Sequence, residues 1–190
     1  QDNSKEIFNR IQTSCTNLEE VISDLNKILN IKNSGHIVEK INISEISDHI
    51  VANLKPDLLK NNVMVKKEYD AVIEMLSIRA FVYSVIYNII QNAVKYSDQE
   101  KLDSYISINI TQNWENIIVT VTDNGIGFEQ EIVKDKLFQL YQRFNTNVQG
   151  KGMGLFLVKT QLEMINGKIN VKSEVGKGTT FEITLPKKLN

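Results

Sequence analysis

Apolar residues along the chain change period several times, and each change marks an element. Phe8, Ile11, Cys15, Leu18, Ile22, Leu25 and Leu29 recur at alternating spacings of three and four, the heptad seam of a long helix. Ile7, Val21 and Ile28 widen the seam on one side, so the helix has more to bury than a two-stranded zipper needs. A lone helix cannot hide such a stripe. The pattern predicts packing in a bundle, with a second chain, over the plainer alternative of folding back onto its own domain. Asn33-Ser34-Gly35 ends the helix, since Gly readily takes the left-handed conformation of a helix terminus. We expect two domains, residues 1–38 and residues 39–190.

Past that boundary the period alternates between two and 3.6 residues. A short strand is expected over 41–43. A helix capped by Ser44 or Ser47 should run to about Leu59, with Ile46, Ile50, Val51 and Leu54 on one face. Residues 62–69 read as a strand with Val63 and Val65 on one side. A second long helix covers 78–96, with Ile78, Val82, Val85, Ile89 and Ala93 inward. Ile106, Ile108 and Ile110 mark one strand, and Ile117, Val119 and Val121 the next. Residues 124–154 are rich in Gly, Asn, Gln and charge, with a short helix expected near Phe138. A helix over 155–165 stops at Asn166-Gly167. Ile169 and Val171 form a strand, Gly176 and Gly178 a turn, and Phe181, Ile183 and Leu185 a last strand. This order predicts a sheet covered on one face by helices. Its two hairpins make the pairing mostly antiparallel, which excludes a doubly wound parallel fold.

Composition narrows the function. The 190 residues are 42% hydrophobic and 24% charged, with a formal net charge of −1. That is a soluble globular balance with no electrostatic footprint for nucleic acid or an anionic membrane surface. No apolar run approaches the roughly 20 residues of a membrane span, and the polar start has no signal-peptide core. Cys15 stands alone, so an internal disulfide is excluded and a reducing compartment fits. We expect a cytoplasmic domain. The chain does not begin with Met, and we expect a segment of a longer protein, which is compatible with anchoring of the whole in the inner membrane.

Four local features carry candidate chemistry. Asn88, Asn92 and Lys95 lie four and three residues apart, on one face of the second long helix. An amide oxygen can coordinate a hard cation such as Mg²⁺, and an ammonium can meet a phosphate; the plain alternative is an ordinary polar helix edge. Asp123-Asn124-Gly125-Ile126-Gly127 follows directly on a strand. Its carboxylate can accept a hydrogen bond from an exocyclic amine, and its glycines let backbone approach a ligand; the alternative is a turn that serves only geometry. Gly150-Lys151-Gly152-Met153-Gly154-Leu155 opens a helix, where freed backbone N–H groups face an anion. Its spacing is neither that of the P-loop nor that of the dinucleotide fingerprint. In Gly176-Lys177-Gly178-Thr179-Thr180 the glycines suit a hairpin turn, and a threonine hydroxyl could reach a ligand lying across the sheet.

In this order and spacing the four resemble the N box and the successive glycine boxes of the histidine-kinase ATP-binding domain. That domain belongs to a superfamily with gyrase-type ATPases and heat-shock chaperones. The resemblance covers about residues 41–187. The first helix resembles the second helix of a kinase dimerisation domain. Leu137-Phe138-Gln139-Leu140-Tyr141-Gln142-Arg143-Phe144 is similar to the family's phenylalanine box, with Gln139 where an acidic residue is common. The resemblance implies an α+β fold of Bergerat type: a two-layer α/β sandwich with a mixed, mostly antiparallel sheet, preceded by a long N-terminal helix. It implies ATP and Mg²⁺ as cofactors. Asn92 would bind the metal, Asn88 would support that site, Lys95 would contact phosphate and Tyr96 would lie near the adenine. Asp123 would accept from the adenine amino group, with Gly125 and Gly127 allowing close approach and Thr179 or Thr180 assisting. Residues 130–149 would form a lid hinged by Gly150, Gly152 and Gly154, with Leu155 in the first turn beyond. Arg143 and Lys151 would stabilise charge at the transferred phosphoryl group.

The implied activity is transfer of the ATP γ-phosphoryl group to a histidine. Neither His36 nor His49 stands in the family's acceptor motif of His, acidic residue and nearby Pro. The acceptor is therefore expected upstream, and the chain should bind ATP without phosphorylating itself. The implied partners are a second copy, through the N-terminal helix bundle, and a response-regulator receiver domain. Three alternatives remain. One is a superfamily ATPase, whose relatives place a water-activating glutamate where Asn88 stands. The second is a binding module without catalysis, serving signalling or dimerisation. The third is a serine kinase of the anti-sigma type, which usually lacks the N-terminal helix.

Overall fold

The structure, a computed structural model, describes residues 37–133, 136–142 and 152–189. The expected N-terminal helix with its dimer-forming seam, together with His36, Arg143, Phe144, Gly150 and Lys151, lies outside these residues. So do residues 134–135 and 143–149 of the expected lid.

Residues 37–190 form one compact unit. It opens with β1 (Glu39–Asn42), α1 (Ile43–Asn53), α2 (Lys55–Lys60), β2 (Met64–Glu68) and β3 (Glu74–Ser77). Helix α3 (Arg79–Lys95) leads to the hairpin of β4 (Tyr105–Gln112) and β5 (Asn116–Asp123). A single turn, α4 (Gln130–Val133), is followed by α5 (Gly154–Met164), β6 (Lys168–Glu174) and β7 (Gly178–Pro186). Five strands make the main sheet in the order β2-β4-β5-β7-β6. The β2–β4 pair is parallel, and the other three pairs are antiparallel. Strands β1 and β3 form a separate antiparallel ribbon. It is joined to the main sheet by the tail, where Lys187 donates to the Glu115 carbonyl (2.8 Å) and Leu76 to the Lys187 carbonyl (2.8 Å).

Strict alternation builds the sheet's two faces. Ile106, Ile108 and Ile110 of β4, Ile117, Val119 and Val121 of β5, and Phe181, Ile183 and Leu185 of β7 are all buried on one face. The intervening Ser107, Thr120, Thr122, Thr180 and Glu182 stay at least partly exposed on the other. Helix α3 supplies most of the covering layer with Val82, Val85, Ile86, Ile89 and Ile90, each fully buried. Val158 and Leu162 of α5 and Ile46 and Ile50 of α1 complete it. Burying each such side chain contributes about 1.5–3 kcal/mol. This is the one-sided α+β sandwich expected from the pattern. Among the described residues no helix is long and apolar enough to cross a membrane.

Four local expectations are corrected. The predicted single helix to Leu59 breaks at Leu54, because Pro56 sits in the first turn of a new helix and its ring and missing N–H do not fit a helix interior. The cap is Asn42, whose Oδ1 accepts from the Ser44 amide (3.1 Å); neither Ser44 nor Ser47 serves. Those two serines are buried inside α1, donating to the carbonyls of Asp70 (2.8 Å) and Ile43 (2.9 Å). Strand β3 was not expected, since its inward positions are Met75 and a polar Ser77. The short helix falls at Gln130–Val133 instead of near Phe138, where residues 136–141 form turns and Tyr141 takes φ 61°, a value no right-handed helix contains.

Candidate functional site

Three chain segments meet where β5 ends. Asp123 is the last residue of β5 and pairs across the sheet with Thr179, the second residue of β7. The alternation that buries Val121 also turns Asp123 inward, so a carboxylate is carried into the apolar face and left 7% exposed. Its Oδ1 accepts from the amides of Gly125 (2.9 Å) and Thr179 (3.2 Å). Oδ2 takes part in neither bond. Burial pushes the Asp123 carboxyl up to about 6, against the pull of those two N–H groups and of the Lys101 charge.

The turn after Asp123 is held against the end of α3. Ile126 donates to the Tyr96 carbonyl (3.0 Å). Gly125 backs onto that same carbonyl so closely that a Cβ there would overlap it. The other flank is fixed by Lys101, whose Nζ donates to the carbonyls of Asn124 (2.6 Å) and Gly176 (2.8 Å). Ser173 ties the remaining edge. Its hydroxyl accepts from the Phe128 amide (2.9 Å), donates to the Gly178 carbonyl (3.1 Å) and lies 2.9 Å from the Thr179 hydroxyl. Gln130 continues the chain along the outer edge of β6, accepting from the Ser173 amide (3.1 Å) and donating to the Val171 carbonyl (3.1 Å).

Helix α3 presents the polar face expected of it. The Asn88 amide donates to the Ser84 carbonyl (2.7 Å), which leaves its Oδ1 facing Gly154, where a Cβ would stand 2.9 Å from it. The start of α5 therefore lies against Asn88. Asn92 follows one turn later, half-buried, with no hydrogen bond to its side chain among the described residues. Lys95 places its ammonium 5.1 Å from the centre of the Tyr96 ring, a cation–π distance. The α5 N-terminus has no side-chain cap, and its first intrahelical bond runs from Leu157 to the Met153 carbonyl. The N–H groups of Gly154, Leu155 and Phe156 are thus those that a helix start leaves for another acceptor.

The predicted residues Asn88, Asn92, Lys95, Tyr96, Asp123, Gly125, Gly127, Gly154, Leu155 and Thr179 thus line the sheet end and the two helix ends beside it. Gly152 lies against the Gln142 carbonyl, at the foot of the segment leading to α5. Thr180 is turned the other way: its hydroxyl is 3.1 Å from that of Thr122, on the open face of the sheet. Lys101, Ser173 and Gln130 were missed. Their partners lie up to 75 residues away, so no local spacing could point to them. Among the described residues no group of His, Cys, Asp or Glu could hold a metal ion. A metal here would rest on an amide and on the ligand's own oxygens.

Comparisons with known proteins bear on the family and the fold. The chain is 28% identical over 201 residues to the autoinducer 2 sensor kinase/phosphatase LuxQ of Vibrio harveyi, covering 97% of this chain and 23% of that protein. It is 26% identical over 189 residues to the heme sensor protein HssS of Staphylococcus saprophyticus, covering 98% of this chain and 40% of that protein. The chain thus spans less than half the length of these relatives. The fold matches that of the Acinetobacter baumannii histidine kinase AdeS with a TM-score of 0.72 at 18% identity, over 95% of this chain and 83% of that one. It also matches the catalytic domain of the histidine kinase ThkA with a TM-score of 0.69 at 21% identity, over 80% of this chain and 97% of that one. Residues 78–189 match the family described as histidine kinase-, DNA gyrase B-, and HSP90-like ATPase, which is more than half of the chain and runs from α3 through β7, so the chain belongs to that ATPase family.

Proposed function

We propose that this chain is the ATP-binding catalytic part of a two-component sensor histidine kinase. It would transfer the γ-phosphoryl group of ATP to a histidine on a helix preceding it. Asp123 carries the reading. It is a buried carboxylate with one oxygen fixed by two backbone amides, beside the end of α3, whose partly exposed edge carries the Asn88 and Asn92 amides and the Lys95 ammonium and meets the uncapped start of α5 at Asn88. Oδ2 accepts from the adenine amino group, which distinguishes adenine from guanine because guanine presents a carbonyl there. The ring lies against the Tyr96–Gly125 corner. The phosphates lie toward α5, where the Gly154 and Leu155 N–H groups and Lys95 meet their charge. Mg²⁺ fits the Asn92 amide oxygen together with phosphate oxygens, and when bound it would neutralise phosphate charge. Arg143 and Lys151 are proposed to stabilise the transferred group from the lid.

Asn88 favours a kinase over an ATPase. Its amide is committed to the Ser84 carbonyl, and an amide has no basicity with which to activate water. Residues 1–38 are proposed as the second helix of a dimerisation domain, joining two copies, and a response-regulator receiver domain as the phosphoryl acceptor downstream. The test is calorimetry with Mg-ATP, Mg-GTP and metal-free ATP, followed by labelling with γ-phosphate-labelled ATP of a longer protein that includes the preceding helix. The expected outcome is adenine-selective, Mg-dependent binding and an acid-labile phosphate on the longer protein. Absence of binding would sink the proposal. Rapid phosphate release without any phosphoprotein would favour the ATPase reading.

A further inference from the structure

Lys101 lies in the connection between α3 and β4, where the run Gln99-Glu100-Lys101 reads as solvated charge. The fold places it otherwise. Its side chain is 27% exposed, and its ammonium bridges two backbone carbonyls. One belongs to Asn124, directly after Asp123, and the other to Gly176, in the turn between β6 and β7. Those two segments supply the two amides, of Gly125 and Thr179, that hold Asp123 Oδ1. Lys95 lies over the Tyr96 ring, and Lys177 is paired with Glu174 (2.7 Å) in the exposed turn. Asp98 is 4.0 Å from the Lys101 ammonium.

We propose that Lys101 is the positioning residue of the adenine-binding corner, stapling the Asn124 and Gly176 carbonyls together so that Asp123 is presented in one geometry. The inference rests on Asp123 being the adenine acceptor. A buried carboxylate would otherwise drift toward its neutral form, and a neutral acid could turn an O–H donor toward the adenine amine. The Lys101 charge opposes that drift. An ammonium with three donors suits the bridge, since two are used on carbonyls and its charge remains to act on Asp123.

The experiment compares the wild-type chain with Lys101→Met, Lys101→Gln, Lys101→Arg and Asp123→Asn. Each is titrated with Mg-ATP and with Mg-tripolyphosphate across pH 5 to 8. Lys101→Met and Lys101→Gln should bind Mg-ATP about tenfold more weakly at neutral pH, as for loss of a charge-assisted contact. They should bind tripolyphosphate as the wild type does. The pH midpoint of ATP binding should move upward in both, and Lys101→Arg should restore affinity and midpoint. Should the Met variant not fold, the Gln variant carries the comparison. Unchanged ATP affinity and midpoint would overturn the proposal, and so would equal weakening toward ATP and tripolyphosphate, the mark of a general structural role. If the wild-type chain binds no ATP, or Asp123→Asn binds it normally, the reading of Asp123 fails first and is recognised as such.

Discussion

Asp123 sits where the alternation of β5 would ordinarily place another valine. Keeping it ionised above pH 6 costs the folded state roughly 3 kcal/mol, because its carboxyl titrates at about 6 when folded and in the ordinary carboxylate range when unfolded. The folded state thus holds the proton more tightly. The penalty is fully present above pH 6 and disappears as pH falls through 6 toward the unfolded value. Nucleotide affinity should move the other way, falling below pH 6 as the acceptor is protonated. Asp123→Asn separates the two effects. Its carbonyl oxygen can keep both amide bonds while its NH₂ opposes the adenine amine. We expect Mg-ATP affinity to drop at least about a hundredfold, as when two donors are forced together. Thermal stability at pH 7.5 should be equal or higher, with an advantage that shrinks below pH 6. Calorimetry and paired melting curves across pH check both signs.

The site depends on how the turns at the sheet end close over one another. Gly127 has φ 59°, and a Cβ there would overlap the Glu174 carbonyl; Gly176 has φ 75° but meets nothing within 4 Å. Both demand the left-handed region, yet only Gly127 also lacks space. Gly176→Ala should cost about 1 kcal/mol, the strain of that backbone region alone. Gly127→Ala should cost roughly 3 kcal/mol or more, because backbone must move. Urea unfolding of the two variants measures the difference. Equal losses would mean that the Gly127 turn relaxes freely and does not clamp the site. Gln130 and Ser173 extend the same clamp to the start of the segment leading into the proposed lid.

At the scale of the molecule, the site is an edge property of a single core. Ile89 is fully buried on the α3 face that covers the sheet, one residue from Asn88 and three from Asn92. Ile89→Ala should cost about 2–5 kcal/mol through lost burial and the cavity left behind. The helix that carries Asn88, Asn92 and Lys95 would lose its seat as well. Urea unfolding followed by far-UV and by near-UV circular dichroism checks this. Both signals should shift together, as in cooperative unfolding of one domain.

Much of this was legible without coordinates. The isoleucines at 106, 108 and 110 and the α3 stripe from Ile78 to Ala93 dictate a half-buried sheet and its covering helix, because period two and period 3.6 each expose a distinct apolar face to be hidden. The glycine-bearing turns and the Asn–Asn–Lys face were legible too, since those residue types act over one or two turns of chain. Pro56 and the Asn42 cap act within a few residues and were legible as well, whereas tertiary structure alone decided the β1–β3 ribbon. It alone brought Lys101 to Gly176 and Ser173 to Phe128. Those contacts join a side chain to a backbone group far away in sequence, and a carbonyl or amide carries no residue-specific signal that a one-dimensional pattern could hold.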